Sequence, residues 1–113
     1  VERSVLSPGV FIGPNAVIRE SVILTDTYIE AGAVVERCII DKIAVVGHNA
    51  RVGGIPPMGE LGISCIGKNA HVPAGYTIGH STILGTDLRL EDFAAFPDKI
   101  VPSGTRLGYK SKK

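Results

Sequence analysis

Tryptophan is absent from these 113 residues, and the aromatic side chains amount to three Phe and three Tyr. A core organised around large rings is therefore excluded. Burial has to come from Val, Ile, Leu and Ala, which suits thin, closely stacked strands. A surplus of charge is missing too: 12 Lys+Arg against 11 Asp+Glu leave a formal net charge of +1. Domains that track nucleic-acid phosphates carry a basic excess, so no nucleic-acid partner is expected. No apolar run approaches the roughly 18 residues that span a bilayer, and no charged start leads into an apolar centre as in a signal peptide. No membrane partner is expected either. Cys38 and Cys65 show neither CxxC nor metal-ligand spacing, which points to a soluble chain in a reducing, cytoplasmic setting. GxGxxG, GxxxxGK[ST] and HExxH are all lacking.

What the sequence has instead is an internal period. Val1-Glu2-Arg3-Ser4-Val5-Leu6, Ile18-Arg19-Glu20-Ser21-Val22-Ile23 and Val35-Glu36-Arg37-Cys38-Ile39-Ile40 align with a repeat of 17 residues. Two six-residue steps complete each unit, as in Leu6 to Ile12 to Ile18 and Ile23 to Ile29 to Val35. Each unit thus reads as a three-sided coil stepping five, six and six residues between aliphatic corners. The step from Val52 to Ile66 is nine residues too long, and its Gly53-Gly54-Ile55-Pro56-Pro57 composition predicts a loop over 53–61. Ile66, Val72, Ile78 and Ile83 then resume the pattern. The reading is a parallel β-helix of about five coils over 1–94, with a short irregular C-terminal cap and tail over 95–113. The periodicity is lost from Leu88 to Tyr109.

Columns of matching residues support this register. Ser4, Ser21, Cys38, Ser64 and Ser81 form one; Ala16, Ala33 and Ala50 form another, with Tyr76 as its exception; Val10, Thr27, Ala44 and Ala70 form a third. Small residues belong where the chain turns and the prism has little room. Gly13, Gly47, Gly67 and Gly79 follow corners, where a bend favours a residue without Cβ. Glu2, Arg19 and Glu36 would stack in one outer column and Arg3, Glu20 and Arg37 in the next, about 4.8 Å apart, so that opposite charges meet. A stack of this kind needs covered ends, because an open end exposes apolar corners and unpaired strand edges. The first residue is Val rather than Met. The chain therefore reads as a piece of a longer protein or as a processed one, its first coil covered by something upstream or by a symmetry mate.

Groups with chemistry are few. His48, His71 and His80 fall in different columns and read as surface turn residues; no catalytic residue and no metal ligand is assigned. Cys38 and Cys65 read as packing residues. Asp41-Lys42 follows the corner Ile40, with Arg37 one side away and Lys68 in the next coil, and cations on a turn suit phosphate-bearing ligands.

Ser7-Pro8-Gly9-Val10 through Ile12-Gly13, Ser21-Val22-Ile23 and Cys38-Ile39-Ile40-Asp41-Lys42 resemble the C-terminal β-helix domain of the ADP-glucose pyrophosphorylase (glucose-1-phosphate adenylyltransferase) family. So do Ile66-Gly67-Lys68-Asn69-Ala70, Pro73-Ala74-Gly75, Glu91-Asp92-Phe93 and Val101-Pro102-Ser103-Gly104-Thr105. The resemblance covers nearly the whole chain and implies a left-handed helix; spacing alone does not give the hand, and parallel crossovers are usually right-handed. It implies a regulatory and oligomerisation domain of an enzyme that makes ADP-glucose and pyrophosphate from ATP and glucose 1-phosphate in glycogen or starch synthesis. Catalysis, with Mg²⁺ and ATP, would lie in an N-terminal catalytic domain, leaving this domain without a cofactor and inactive alone. The implied partners are that domain, a phosphorylated metabolite effector and further copies in a homo-oligomer, a tetramer for the full-length enzyme. The family's IIDK lysine contributes to phosphate-effector binding and falls on Lys42, beside Asp41. A second effector lysine precedes a Pro-Ser-Gly ending; Pro97 takes its place here, with Lys99 two residues on. Arg37 joins these by proximity. Two other readings remain: the equivalent domain of another sugar-1-phosphate nucleotidyltransferase or regulatory paralogue, and a hexapeptide acyltransferase with a His base at a trimer interface. The His-free insertion argues against the last.

Overall fold

Aliphatic residues recurring at steps of five or six leave room for one short strand per side and a tight turn between sides. The computed structural model describes residues 3–54 and 62–108, and the chain there follows that plan. The first coil carries β1 (Val5–Leu6), β2 (Phe11–Ile12) and β3 (Val17–Arg19). The second carries β4 (Val22–Ile23), β5 (Tyr28–Ile29) and β6 (Val34–Glu36), and the third β7 (Cys38–Ile40), β8 (Val45–Val46) and β9 (Arg51–Gly53). The fourth carries β10 (Ser64–Ile66), β11 (His71–Val72) and β12 (Thr77–Ile78). Then come β13 (Ile83–Leu84), a 3₁₀ helix at Leu90–Phe93, β14 (Ile100–Val101) and β15 (Arg106–Leu107). No α-helix occurs among the described residues.

The strands stack into three parallel sheets, one per side. The first face runs β1-β4-β7-β10-β13-β15, the second β2-β5-β8-β11 and the third β3-β6-β9-β12-β14. Register follows the period: Val5 pairs with Val22 and Val22 with Ile39. Inward residues fill the prism. Ile23, Ile40 and Ile66 on the first side, Ile29, Val46 and Val72 on the second, and Ile18, Val35, Val52 and Ile78 on the third are at most 1 % exposed. Each such side chain contributes about 1.5–3 kcal/mol of burial. Glycine after a corner answers to crowding by the neighbouring coil: a Cβ on Gly47 would sit 2.6 Å from the Ala74 amide nitrogen.

The small polar column is a hydrogen-bonded spine. Ser4 Oγ accepts the Ser21 N–H at 3.0 Å; Ser21 Oγ accepts the Cys38 N–H at 3.1 Å and donates to the Arg19 carbonyl at 2.8 Å. Ser64 Oγ accepts the Thr82 N–H at 3.0 Å and donates to the Gly79 carbonyl at 3.1 Å. Each hydroxyl thereby satisfies amide or carbonyl groups that the corner would otherwise leave buried and unpaired.

The structure corrects the register after Ile78. Cys65 pairs with Ile83 and Ile66 with Leu84, so Thr82 rather than Ser81 continues the spine and Leu84 rather than Ile83 is the inward corner. The segment between Ile78 and Thr82 holds one residue more than that between Val35 and Cys38. Ser81 takes up the turn instead, at φ +58°, as Arg37 does at +52° two coils earlier.

The cap is also shorter than expected. Leu90–Phe93 leaves the second face as a 3₁₀ turn, closed where the Asp92 carboxylate accepts the Arg89 N–H at 2.8 Å. Phe93 is fully buried and meets Tyr76 edge-on at 5.3 Å, which explains the large residue in the alanine column. Strands β14 and β15 then resume the ladder on β12 and β13, so the segment from Ile100 to Leu107 belongs to the stack. Most of the loop expected over 53–61, residues 1–2 and the lysines of the tail lie outside the described residues.

Opposite charges do meet on the outer corner. Arg19 reaches Glu36 at 3.0 Å, and Glu20 accepts from Arg37 at 2.9 Å on one side and from Arg3 at 2.6 Å on the other. The hydrogen bond from Arg3 is the main reason that the Glu20 carboxyl is held below its ordinary value of 4.5, with Arg37 adding to it against some desolvation. A carboxyl whose folded pKa is depressed stabilises above the unfolded value, and the effect fades as pH falls through the folded one. Glu20→Gln is therefore expected to narrow the stability difference between pH 7 and pH 3 in urea titrations. An unchanged difference would show the ladder to be energetically silent.

Candidate functional site

The corner between the first and second faces repeats a four-residue turn in every coil. Its third position is left-handed throughout: Gly9, Asp26, Ile43, Asn69 and Asp87 all have φ between +49° and +79°. Asp and Asn tolerate this region because their short side chains bond locally; a β-branched residue does not. Ile43, at φ +49° and 42 % exposed, is thus the strained member of the series. It follows Asp41 and Lys42. Asp41 holds the turn, accepting the Lys42 N–H at 2.7 Å through its carboxylate and the Thr27 hydroxyl at 2.9 Å through its carbonyl. Lys42 is exposed, and its carbonyl accepts the Asn69 N–H at 2.9 Å, which places Lys68 on the adjoining turn of the next coil.

The structure therefore brings Lys42, Asp41 and Lys68 to one corner and leaves the other two assigned residues elsewhere. Arg37 stands at the opposite edge of the first face, committed to Glu20. Lys99 stands at the corner between the second and third faces, where its carbonyl accepts the Thr77 N–H at 2.8 Å. Cys38 lies in the spine, and burial pushes its thiol up to about 12, so it is a packing group and no nucleophile. Cys65 faces outward on the first face, in an aliphatic column with Val5, Val22, Ile39 and Ile83.

The second face carries a feature that no motif announced. Phe11 and Tyr28 stack at 4.4 Å, and the same outward column continues through Val45 to His71. Above His71 the 3₁₀ helix overhangs the sheet and makes a notch of about 590 Å³. Val45, Pro73, Ala74 and Leu90 form its apolar lining; Glu30, His48, His71, Arg89 and Glu91 supply its polar groups. Arg89 is anchored by Nη1, which donates to the carbonyls of Asn69 at 2.6 Å and Leu88 at 2.8 Å. Glu30 accepts the His48 N–H at 3.1 Å, with the ring Nδ1 3.8 Å away. Desolvation first and the Arg89 charge second hold the His71 pKa below its ordinary value, with Glu30 opposing. In the sequence both histidines have the character of turn residues and nothing singles out Arg89 or Glu30, because residues from 30 to 91 meet here only through the stack. The break in periodicity after Leu88 was the one available signal.

A three-sided stack of two- and three-residue parallel strands with one hydroxyl-lined corner defines a hexapeptide-repeat β-helix. The chain belongs to the GlmU-like C-terminal hexapeptide family, whose model matches residues 1–60. It is similar to the glucose-1-phosphate adenylyltransferase of Thermomicrobium roseum, 42 % identical over 95 residues, which cover 76 % of this chain and 22 % of that protein. It is also similar to the enzyme of that name from Acetivibrio thermocellus, 33 % identical over 101 residues, 82 % of this chain and 24 % of that protein. The chain thus spans about a quarter or less of the length of these curated relatives. Among solved structures it has a slight likeness to the acetyltransferase domain of PglB from Neisseria gonorrhoeae. The TM-score there is 0.31 and the identity 20 %, over 91 % of this chain and 50 % of that one.

Proposed function

We propose that this chain is the regulatory and assembly part of a glucose-1-phosphate adenylyltransferase, with catalysis in a separate N-terminal domain. The observation that carries the reading is the pairing of similarity with length: up to 42 % identity to enzymes of that name, over at most 24 % of their sequence. The reaction joins ATP to glucose 1-phosphate with release of pyrophosphate, and the Mg²⁺ it uses belongs with the catalytic part. Among the described residues no three His, Cys, Asp or Glu side chains gather closely enough to hold a metal ion.

The Lys42 corner is the proposed seat of a phosphorylated effector. Its support is the exposed lysine, the second cation of Lys68 on the adjoining turn, and the strained Ile43 next to Lys42, since backbone strain concentrates where function holds a turn in place. Arg37 and Lys99 would contribute only through neighbouring subunits or domains. The aliphatic column on the first face supports contacts with further copies in a homo-oligomer. The two unpaired thiols accord with a reducing cytoplasm.

Lys42→Ala in the full-length enzyme tests the reading. Losing one charge-assisted contact of about 1.5–3 kcal/mol raises the effector concentration for half-activation about tenfold or more, while turnover without effector stays within about twofold. Equal loss of both rates would sink the regulatory role.

A further inference from the structure

We propose that the notch on the second face binds a phosphate ester of a small polyol, with Arg89 and His71 holding the phosphate and Glu30 accepting from a hydroxyl. None of Lys42, Asp41, Arg37 or Lys99 lines this notch, so the site is independent of the effector corner.

The anionic end follows from Arg89. Its Nη1 is taken by two backbone carbonyls, which fixes the guanidinium plane, while Nε and Nη2 meet no acceptor among the described residues. A guanidinium held in this way presents its remaining donors already ordered, the arrangement that suits two oxygens of one phosphate. His71 stands beside it in ladder register, because the His71 N–H donates to the Leu88 carbonyl at 3.0 Å. Its ring makes no hydrogen bond among the described residues. Near neutral pH the depressed pKa leaves that ring uncharged, with one donor nitrogen to offer.

The polyol end follows from the far rim. The Glu30 carboxylate is already positioned by the His48 N–H and has acceptor capacity left for a hydroxyl. Glu91 adds a second carboxylate to the rim. These two negative charges disfavour a bare dianion and favour one that brings hydroxyl donors with it. Between the rims, Val45, Pro73, Ala74 and Leu90 offer an apolar floor for the carbon body.

The test uses the 113-residue chain, its histidine ring resonances and three probes: glycerol 3-phosphate, inorganic phosphate and glycerol. Glycerol 3-phosphate is expected to shift the His71 resonance saturably and to raise its titration midpoint, since the ester offsets the Arg89 charge; His80, outside the notch, stays in place. Arg89→Gln is expected to weaken this binding about tenfold or more, and Lys42→Ala to leave it unchanged. Glu30→Gln should bring glycerol 3-phosphate down to the affinity of inorganic phosphate, itself at least about fivefold weaker on the parent chain. Should Arg89→Gln unfold the cap, His71→Asn reads the same loss, because the ring takes no part in the ladder. Three results would overturn the proposal: no saturable response at His71, equal affinity for inorganic phosphate and its ester, or equal weakening by Lys42→Ala and Arg89→Gln. A response to glycerol alone would overturn the phosphate assignment.

Discussion

Gly53→Ala is expected to cost about 4 kcal/mol or more, enough to unfold much of a small domain, whereas Gly104→Ala should cost about 1–2 kcal/mol. The two glycines share a backbone conformation, φ +86° and +82°, so any L residue suffers similar left-handed strain at either site. Their surroundings differ. Nothing lies within 4 Å of a Cβ built on Gly104, but one on Gly53 would collide with the Glu36 carbonyl and approach Cys38 Sγ to 2.9 Å. Glu36 is the ladder partner of Gly53, so the collision is with backbone that holds the second and third coils together and does not yield as a side-chain tip would. Urea midpoints of the two variants separate strain from collision. Equal losses would mean that the coils have slack at this corner.

That corner also shows how far a sequence of this kind can be read. Every coil meets the same environment, so the constraints on Ser4, Ser21, Cys38 and Ser64 are nearly identical and leave a visible column. The charge columns are legible for the same reason, as the Arg3–Glu20–Arg37 and Arg19–Glu36 pairs show. The register after Ile78 was not legible. Ser81 and Thr82 are both small and hydroxylated, Ile83 and Leu84 are both aliphatic, and composition cannot choose between neighbours of one kind. The hydrogen bonds show which register is taken: the Thr82 N–H goes to Ser64 Oγ, and the Ser81 N–H goes to the Gly62 carbonyl. Strands β14 and β15 were hidden because the 3₁₀ turn replaces one whole side of the final coil, and the six-residue step from Val101 to Leu107 is too short a signal alone.

The candidate sites divide in the same way. Asp41-Lys42 stood out because it lies on one turn, and contiguous residues keep their neighbours when the chain folds. Proximity along the chain is not proximity in space for Arg37: only four residues separate it from Lys42, yet the strand between them spans a whole face and leaves it in the ladder with Glu20. The notch is the converse case. Glu30, His71 and Arg89 come from three coils, and only the stacking of β5, β8 and β11 brings them to one side. The notch lies where the repeat is broken, and such a break has no period by which to find it.

Because the stack couples each coil mainly to its neighbours, the cost of one deletion should depend on its height. Ile40→Ala is expected to lose about 3–4 kcal/mol, and Leu6→Ala about 1 kcal/mol. Both residues occupy the inward corner of the first face, and Leu6 pairs with Ile23, which in turn pairs with Ile40. Ile40 is fully buried between Ile23 and Ile66, so truncation leaves a cavity walled by two intact coils that cannot collapse without breaking their ladders. Leu6 is 39 % exposed, so there water fills the space that its side chain leaves. The difference is read as a shift of urea midpoint at constant slope. If Lys42 seats an effector and the notch a phosphate ester, as proposed, Ile40→Ala in the longer enzyme would also loosen the turn that follows it and blunt the response to effector, while the notch, held by β8, β11 and the cap, would keep its affinity for glycerol 3-phosphate. Similar losses for the two variants would instead mark the whole prism as one cooperative unit whose ends are as tightly held as its centre.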